Sequence, residues 1–259
     1  MTESTFFTFR TALIVALGGL LMGFDVAVIS GVGTDAAFMQ AILVGLVNLV
    51  FTVLAILLID RLGRRPLLVA GLSGIVISML LLSYGFGSAT YSIGADALAS
   101  LPPSIDHAAL APLVGQTYDS DTAFRGAVIA AVGGVAYQAN ESALLGAAIS
   151  INPALILIGM LGFVASFAMS LGPVMWVLFS ELFSNRLRGI AISFVGLINS
   201  AVSFAVQLVF PWQLQNLGNA TTFLIYAAFA LVGLPLIVKL LPETKGKTLE
   251  ALEAELRSR

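Results

Sequence analysis

Long runs of apolar residues alternate along this chain with short polar segments. A membrane-spanning helix needs about 20 mostly apolar residues, and six stretches of the chain are long enough. They cover residues 11–31, 41–59, 66–87, 153–180, 189–211 and 219–241. Runs of this length exceed what a buried strand requires. The pattern therefore predicts an all-α membrane protein with six transmembrane helices.

Residues 88–150, between the third and fourth predicted spans, follow a different pattern. Prolines and acids alternate there with an apolar run that is interrupted by Gln138, Asn140 and Glu141. A seventh span in this segment would reverse the orientation of every later span. We therefore expect an external insertion with one or two amphipathic helices. The predicted division of the chain is residues 1–87, 88–150, 151–241 and 242–259.

The composition and the distribution of charge support this topology. Of the 259 residues, 59% are hydrophobic and 10% are charged, against about 45–50% and about 25% in an average soluble domain. With both termini cytoplasmic, the cytoplasmic segments would hold 11 of the 12 Lys and Arg residues, all but Arg125. This follows the positive-inside rule. We expect an integral protein of the plasma membrane, with a bacterial inner membrane favoured because no organelle-targeting segment is visible.

The first span could alternatively be a secretory signal peptide. It is too long for the apolar region of a signal peptide, carries Asp25 near its end and lacks a convincing small-residue cleavage site. These features favour a retained transmembrane helix.

Signatures of catalysis are missing from the sequence. It has no G-x-x-x-x-G-K-[ST], no H-E-x-x-H and no G-x-S-x-G stretch. It also has no cysteine, which excludes disulfides and thiolate metal sites. We predict that the protein is not an enzyme, binds no cofactor or metal, and has no nucleic-acid partner.

Two short segments concentrate the charge of the chain. The stretch DRLGRRP contains Asp60, Gly63 and Arg64, and the stretch LGPVMWVLFSELFSNRLRG contains Glu181 and Arg188. Gly63 permits a tight turn, and Asp60 can cap or pair across it. Topology anchoring alone would account for the basic residues. Carboxylates and guanidinium groups at one membrane face can also form bidentate pairs, which would latch one end of a helix bundle.

Four stretches, DRLGRRPLL, GPVMWVLFSELF, PETKGKTLE and GGLLMGFDVAVISG, resemble the sugar porter family of the major facilitator superfamily. That resemblance implies a fold of twelve helices in two halves of six, and transport of a sugar. It also implies that the charged positions above form the cytoplasmic gate network of the family. The residues that match are Asp60, Gly63, Arg64, Glu181 and Arg188.

The resemblance covers only part of the family's pattern. The first-helix motif runs within a dozen residues into a stretch that looks like the eighth helix, and nothing resembles helices two to seven. Because the two halves are parallel repeats, the first and seventh helices are equivalent. We expect a six-helix unit resembling one half of the fold, with the first helix in place of the seventh.

The resemblance also implies candidate transport residues. Matched positions for substrate binding are Phe24, Asn48, Trp176 and Asn199, where Asn199 replaces the glutamine common in the family. Intramembrane amides also serve helix–helix hydrogen bonding, and this alternative stays open for both asparagines. Asp25 matches the proton-binding acid of proton-coupled members, but its arginine partner on the fourth helix has no counterpart. The alternative for Asp25 is a remnant that faces water or headgroups.

Two local expectations concern helix geometry. Gly172 and Pro173 should break the fourth span just before Trp176, leaving a flexible joint. The tail 242–259 should form a cytoplasmic amphipathic helix, because Leu249, Leu252 and Leu256 recur at helical spacing.

Three functions are compatible with this sequence. The first is a sugar transporter, possible proton coupling included, that needs a partner half or a homodimer because six helices form only one wall of a cavity. The second is a half-porter that does not transport but binds or regulates a full-length transporter. The third is an inactive truncated remnant.

Overall fold

The computed structural model of the protein describes residues 35–182 and 188–247. Within these ranges five helical segments are long and apolar enough to cross a membrane. They are Ile42–Leu62, Arg64–Gly87, Pro153–Leu178, Gly189–Leu217 and Asn219–Leu240. These segments correspond to the second to sixth predicted spans. The first predicted span, 11–31, lies outside the described residues.

The elements of the described residues are mostly helical. The helices are α1 (Asp35–Leu62), α2 (Arg64–Gly87), α3 (Ala95–Ser100), α4 (His107–Leu110), α5 (Asp121–Val132), α6 (Gly134–Ala148), α7 (Pro153–Met169), α8 (Leu171–Leu182), α9 (Arg188–Leu217) and α10 (Asn219–Leu240). The strands are β1 (Thr90–Ser92), β2 (Thr117–Tyr118) and β3 (Ile149–Ser150), and Ala111–Leu113 form a 3₁₀ turn.

Glycines at positive φ make the two tightest turns between long helices. Gly63 separates α1 from α2 with φ +96°, and Gly218 separates α9 from α10 with φ +80°. Only glycine adopts this left-handed region without a steric cost from Cβ. One residue is therefore enough to reverse the chain at each turn.

The predicted break in the fourth span is confirmed. The span consists of α7 and α8, with Ser170 between them. Pro173 occupies the first turn of α8, where a missing N–H costs nothing because the first amides of a helix have no partner within it. The helix resumes its pattern when the Val174 amide donates to the Ser170 carbonyl at 3.0 Å.

Small residues allow α2 and α7 to approach each other closely. A Cβ added at Gly71 would lie 1.9 Å from Ser170 Oγ, and one added at Gly74 would lie 2.3 Å from Ser166 Oγ. The Ser170 hydroxyl is satisfied because it donates to the Ser166 carbonyl at 2.6 Å. Such close approach through Gly and Ser is the usual way for transmembrane helices to gain packing contact.

The described residues form two compact units. One unit is made of residues 80–157 and 212–224, and the other contains the remaining parts of the long helices. The first unit therefore contains segment 88–150 together with the α9–α10 turn.

Segment 88–150 is more than the one or two amphipathic helices expected. It contains α3 to α6 and a three-stranded antiparallel sheet in the order β2-β1-β3. Tyr91 pairs with Tyr118, and Thr90 pairs with Ser150. The all-α prediction is therefore wrong for this segment. Strands of two or three residues are too short to show the alternation that identifies a strand in a sequence.

A hydrophobic core of its own holds segment 88–150 together. Tyr91 of β1, Phe124 of α5, and Tyr137 and Leu144 of α6 are almost fully buried in it. The rings of Tyr91 and Phe124 stack with centroids 5.9 Å apart. This core explains how a segment with polar flanks folds without forming a span.

The beginning of the tail is a turn. Residues 241–247 are not helical, and the Lys247 amide donates to the Thr244 carbonyl at 3.2 Å. The helix predicted over 242–259 is therefore wrong for 242–247, where Pro242 and Gly246 (φ +72°) disfavour a helix. Residues 248–259, with the three leucines, lie outside the described residues.

Candidate functional site

A cluster of charged and polar side chains lies where α1, α2, α8 and α10 begin or end. It joins the α1–α2 turn to the end of α8 and to the segment that follows α10. We call it the loop cluster, and its members are Asp60, Arg64, Glu181, Glu243 and Thr244.

Arg64 is the centre of the loop cluster. Its guanidinium donates to both carboxylate oxygens of Glu181, from Nε at 3.1 Å and from Nη2 at 2.6 Å. Its Nη1 lies 3.1 Å from Asp60 Oδ1 and donates to the Ile59 carbonyl at 3.2 Å. The Arg64 side chain is 12% exposed and that of Asp60 is 78% exposed. The Glu181 pair, bidentate and half-buried, is therefore the strong interaction, and the Asp60 pair is a weak surface contact.

Glu243 caps the beginning of α2 from a distant part of the chain. Its Oε1 accepts from the Arg64 amide and its Oε2 from the Arg65 amide, both at 3.0 Å. Burial acts to raise the pKa of Glu243, but hydrogen bonds from the backbone amides of Lys245, Arg64 and Arg65 lower it below its ordinary value. The carboxylate satisfies orphan amides at a helix N-terminus, where the macrodipole also favours negative charge.

Further bonds tie the segment after α10 to the cluster. The Thr244 hydroxyl donates to Glu181 Oε2 at 2.7 Å, so Glu181 is shared between Arg64 and Thr244. Lys245 Nζ donates to the Arg61 carbonyl at 2.5 Å. The Arg65 guanidinium donates to the Val238 carbonyl near the end of α10. Helix ends that are far apart in sequence are thus linked by charge-assisted hydrogen bonds.

Gly63 is required by this geometry as well as by its own φ angle. A Cβ at this position would lie 2.8 Å from Glu243 Oε2. Any larger residue would displace the carboxylate that caps α2.

The structure brings four of the five predicted charge-network positions together: Asp60, Gly63, Arg64 and Glu181. Arg188 is the first residue of α9, and its side chain lies outside the described residues. Glu243 and Thr244 were not predicted as members. The motif PETKGKTLE was their only sequence signal, because their partners are 179 and 63 positions away along the chain.

The predicted substrate-binding residues lie on three helices. Asn48 on α1 is half-buried and accepts a hydrogen bond from the Thr52 hydroxyl at 3.3 Å. Trp176 on α8 is 42% exposed, and Asn199 on α9 is buried. Helices α1 and α8 pack against each other, so Asn48 and Trp176 lie on neighbouring elements. Phe24 and Asp25, predicted for substrate and proton binding, lie outside the described residues.

The sequence matches a known protein family over most of its length. The model of the family described as "Sugar (and other) transporter" matches residues 31–100 and 121–256. The chain belongs to this family. Residues 101–120, which fall between the two matched ranges, lie within segment 88–150.

Relatives named as sugar transporters are longer than this chain. The chain is 32% identical over 230 residues to the D-xylose-proton symporter of Escherichia coli K12, covering 86% of this chain and 34% of the symporter. It is 31% identical over 255 residues to Sugar transporter ERD6-like 16 of Arabidopsis thaliana, covering 94% of this chain and 42% of that protein. The chain therefore spans between a third and a half of the length of these relatives.

Solved structures of the same superfamily resemble the fold. The major facilitator superfamily proton:xylose symporter XylE bound to 6-bromo-6-deoxy-D-glucose gives a TM-score of 0.64 at 28% identity, covering 95% of this chain and 42% of that one. The inward open conformation of XylE from E. coli gives 0.58 at 29% identity, covering 93% of this chain and 42% of that one. The family match and these structural likenesses agree that the chain belongs to the sugar porter family of the major facilitator superfamily.

Proposed function

We propose that the protein carries a monosaccharide across a membrane as one half of a major facilitator pore. The observation that carries this proposal is the bidentate Arg64–Glu181 pair, which links the α1–α2 turn to the end of α8. A half-buried pair between the ends of separate spans is a contact with two discrete states, made or broken. Such a contact fits a gate better than a static anchor.

Electrostatics couple the Arg64–Glu181 pair to the opening of the path. Breaking it while both groups stay half-buried would leave uncompensated charge, which is costly. Opening that end of the bundle would admit water, and water would solvate the guanidinium and the carboxylate separately. The broken state of the pair and the open state of the path would therefore favour each other.

The proposed topology places the loop cluster on the cytoplasmic side. In support, 11 of the 12 Lys and Arg residues would then be cytoplasmic. Segment 88–150 becomes an external insertion, and both termini are cytoplasmic. We propose six spans, which are the five described above and residues 11–31. The membrane would be a plasma membrane, with a bacterial inner membrane favoured.

The proposed sugar contacts combine amides with an aromatic face. Asn48 and Asn199 would hydrogen-bond sugar hydroxyls, while Trp176 and Phe24 would pack on the apolar face of the ring. The Trp176 indole is 42% exposed, so a sugar ring could reach it. Asp25 would bind the proton in a coupled mechanism, as an ionisable residue within a span is by default a functional candidate.

A second wall is needed to enclose a sugar between two halves. We propose a homodimer, or pairing with another porter, as its source. In the isolated chain Leu49, Ile56 and Leu57 of α1 are all largely exposed, so this face is open to a second half or to lipid. Crosslinking in native membranes checks the point, and a species that is monomeric throughout would contradict it.

Uptake into proteoliposomes tests the proposed function directly. The experiment compares labelled hexoses and pentoses in the unmodified chain, in Trp176→Ala and in Trp212→Ala. Trp212 is the matched control, because it is the second of the two tryptophans and is 57% exposed near the end of α9. We expect uptake of at least one sugar that Trp176→Ala abolishes and Trp212→Ala leaves intact. Folded protein that takes up no sugar, either alone or reconstituted with the porter to which it crosslinks, would overturn the proposal.

The alternative function is that of a half-porter that binds a full-length relative and regulates it. The chain matches 34% of the length of the E. coli D-xylose-proton symporter. Co-purification with a full-length porter, combined with no uptake alone, would support this function over transport. An inactive remnant would show neither property.

A further inference from the structure

Helix α5 of segment 88–150 carries two charged residues that the proposed transport function does not use. Asp121 and Arg125 are four positions apart, so they lie on the same face of the helix. Arg125 is also the one basic residue on the proposed external side. Both side chains reach the turn that joins α9 to α10.

Asp121 caps the beginning of α10. Its Oδ2 accepts from the Asn219 amide at 2.8 Å, and its Oδ1 accepts from the Thr122 amide at 2.8 Å. Asn219 is the first residue of α10, where unpaired amides and the positive end of the macrodipole favour a carboxylate. Only 6% of Asp121 is exposed, so these hydrogen bonds replace water around a nearly buried charge.

Arg125 reaches the end of α9. Its Nη1 donates to the Leu214 carbonyl at 3.4 Å, within the last turn of that helix. A cation is favoured there by the negative end of the macrodipole. The guanidinium is held in place because Nη2 lies 2.8 Å from Glu141 Oε1 and Nε donates to the Tyr137 hydroxyl at 3.2 Å. One helix thus presents an anion to a helix beginning and a cation to a helix end.

Two more residues fix the same turn. A Cβ at Gly218 would lie 2.5 Å from Asp121 Oδ1, so the turn approaches the carboxylate as closely as its backbone allows. The Tyr91 phenol of β1 is hydrogen-bonded to the Asn219 side chain; burial and the nearby Asp121 charge raise the pKa of Tyr91 to about 12. The hydrogen bond with the Asn219 side chain acts to lower this pKa, but burial and the Asp121 charge outweigh it, so the phenol stays neutral.

The end of α2 joins the same arrangement. The Ser83 hydroxyl donates to the Ala220 carbonyl at 2.8 Å. The rings of Phe86 and Phe223 stack with centroids 5.3 Å apart. Residues 80–157 and 212–224 accordingly form one compact unit.

We propose that segment 88–150 is a clamp on the α9–α10 turn, with Asp121 and Arg125 as its positioning residues. The clamp makes the adjoining ends of α9 and α10 part of the same body as the segment, so that they move together. In a transport cycle it would hold these two ends in register while the loop cluster opens and closes. The inference goes beyond the proposed function, and its test does not need a transported sugar.

Hydrogen–deuterium exchange of the full chain in detergent tests the clamp. Asp121→Asn removes the charge and one of the two acceptors, and Asp119→Asn removes an exposed carboxylate two positions earlier as the matched control. Loss of a helix cap corresponds to roughly two- to thirtyfold faster exchange. In Asp121→Asn we expect exchange to accelerate by this factor at amides 213–222. In Asp119→Asn we expect no change at these amides, and in both variants exchange at 61–66 should be unchanged. Unchanged exchange at 213–222 in Asp121→Asn would overturn the clamp, as would equal acceleration throughout the chain.

A second pair of variants approaches the clamp from the turn itself. Gly218→Ala and Gly115→Ala both place a Cβ on a residue with φ near +80°. At Gly218 the new Cβ would lie within 4 Å of the Asp121 carboxylate, whereas at Gly115 nothing lies within that distance. We expect faster exchange within α5 as well as at 213–222 for Gly218→Ala, and a change confined to residues around 115 for the control. A Gly218→Ala effect that does not reach α5 would contradict the inference, and this pair decides the matter should Asp121→Asn fail to fold.

Discussion

Arg64 is the residue on which the loop cluster depends most. Its guanidinium bonds to Glu181 and Asp60, and its backbone amide donates to Glu243. The resemblance to the sugar porter family placed Asp60, Gly63, Arg64 and Glu181 in one network, because each matches a position of the family's motifs. It did not place Glu243 or Thr244, because residues 242–259 were expected to be helical, and residues 242–247 instead form a turn that brings both side chains to the cluster.

Gly63→Ala is predicted to destabilise the protein more than Gly246→Ala. Both glycines have positive φ, which costs about 1–2 kcal/mol for alanine. At Gly63 the new Cβ would also meet Glu243 Oε2 at 2.8 Å, whereas nothing lies within 4 Å at Gly246. Displacing the cap adds about 1 kcal/mol. Thermal unfolding in detergent measures the difference, and equal losses would show that the Glu243 contact contributes nothing.

Acid is predicted to remove the stabilising contribution of Glu243. Because the folded-state pKa of Glu243 lies below its ordinary value, its contribution is present above the unfolded-state pKa and is lost as the pH falls through the folded-state pKa. Glu243→Gln should therefore lower the Tm at neutral pH, and its deficit relative to the unmodified chain should shrink in acid. Asp96→Asn, which removes an exposed carboxylate, is the control. A deficit independent of pH would contradict the capping role of the charge.

At the scale of elements, the sequence predicted the long helices well because each is a continuous apolar run. It also predicted the break near Pro173, since proline lacks the N–H that continues the hydrogen-bond pattern of a helix. It did not predict β1 to β3, whose two or three residues pair across 25 to 60 positions of chain. Nor did it predict that Asp121 would cap α10, which depends on the folding of segment 88–150 against the α9–α10 turn.

The α2–α7 contact is predicted to tolerate no added methyl group at Gly71. Alanine there would place Cβ 1.9 Å from Ser170 Oγ and 2.8 Å from the Ser166 carbonyl oxygen. Because a backbone atom cannot rotate away, the helices must separate, at a cost of about 1–3 kcal/mol. Gly196→Ala in α9, where nothing lies within 4 Å, should be neutral or slightly stabilising. Thermal unfolding compares the two, and a neutral Gly71→Ala would show that the helices are not closely packed.

As a whole, the chain has the long helices of the sugar porter family and spans about a third to a half of the length of the two relatives compared above. The loop cluster ties helix ends together on one side, and the Asp121–Arg125 pair ties a different turn within the unit of segment 88–150. Both arrangements use the same physics, with carboxylates at helix beginnings and cations at helix ends. We propose that the loop cluster is a gate facing the cytoplasm.

Thiol labelling at position 244 tests that claim most directly. The chain has no cysteine, so Thr244→Cys introduces the only thiol, at a residue that is 4% exposed beside Glu181. The measurement is the rate of modification by a membrane-impermeant maleimide, added to either side of oriented vesicles. We expect slow labelling from the cytoplasmic side alone, and faster labelling when Arg64→Ala breaks the cluster or when a transported monosaccharide is added. Labelling from the outside, or a rate indifferent to both changes, would contradict the claim.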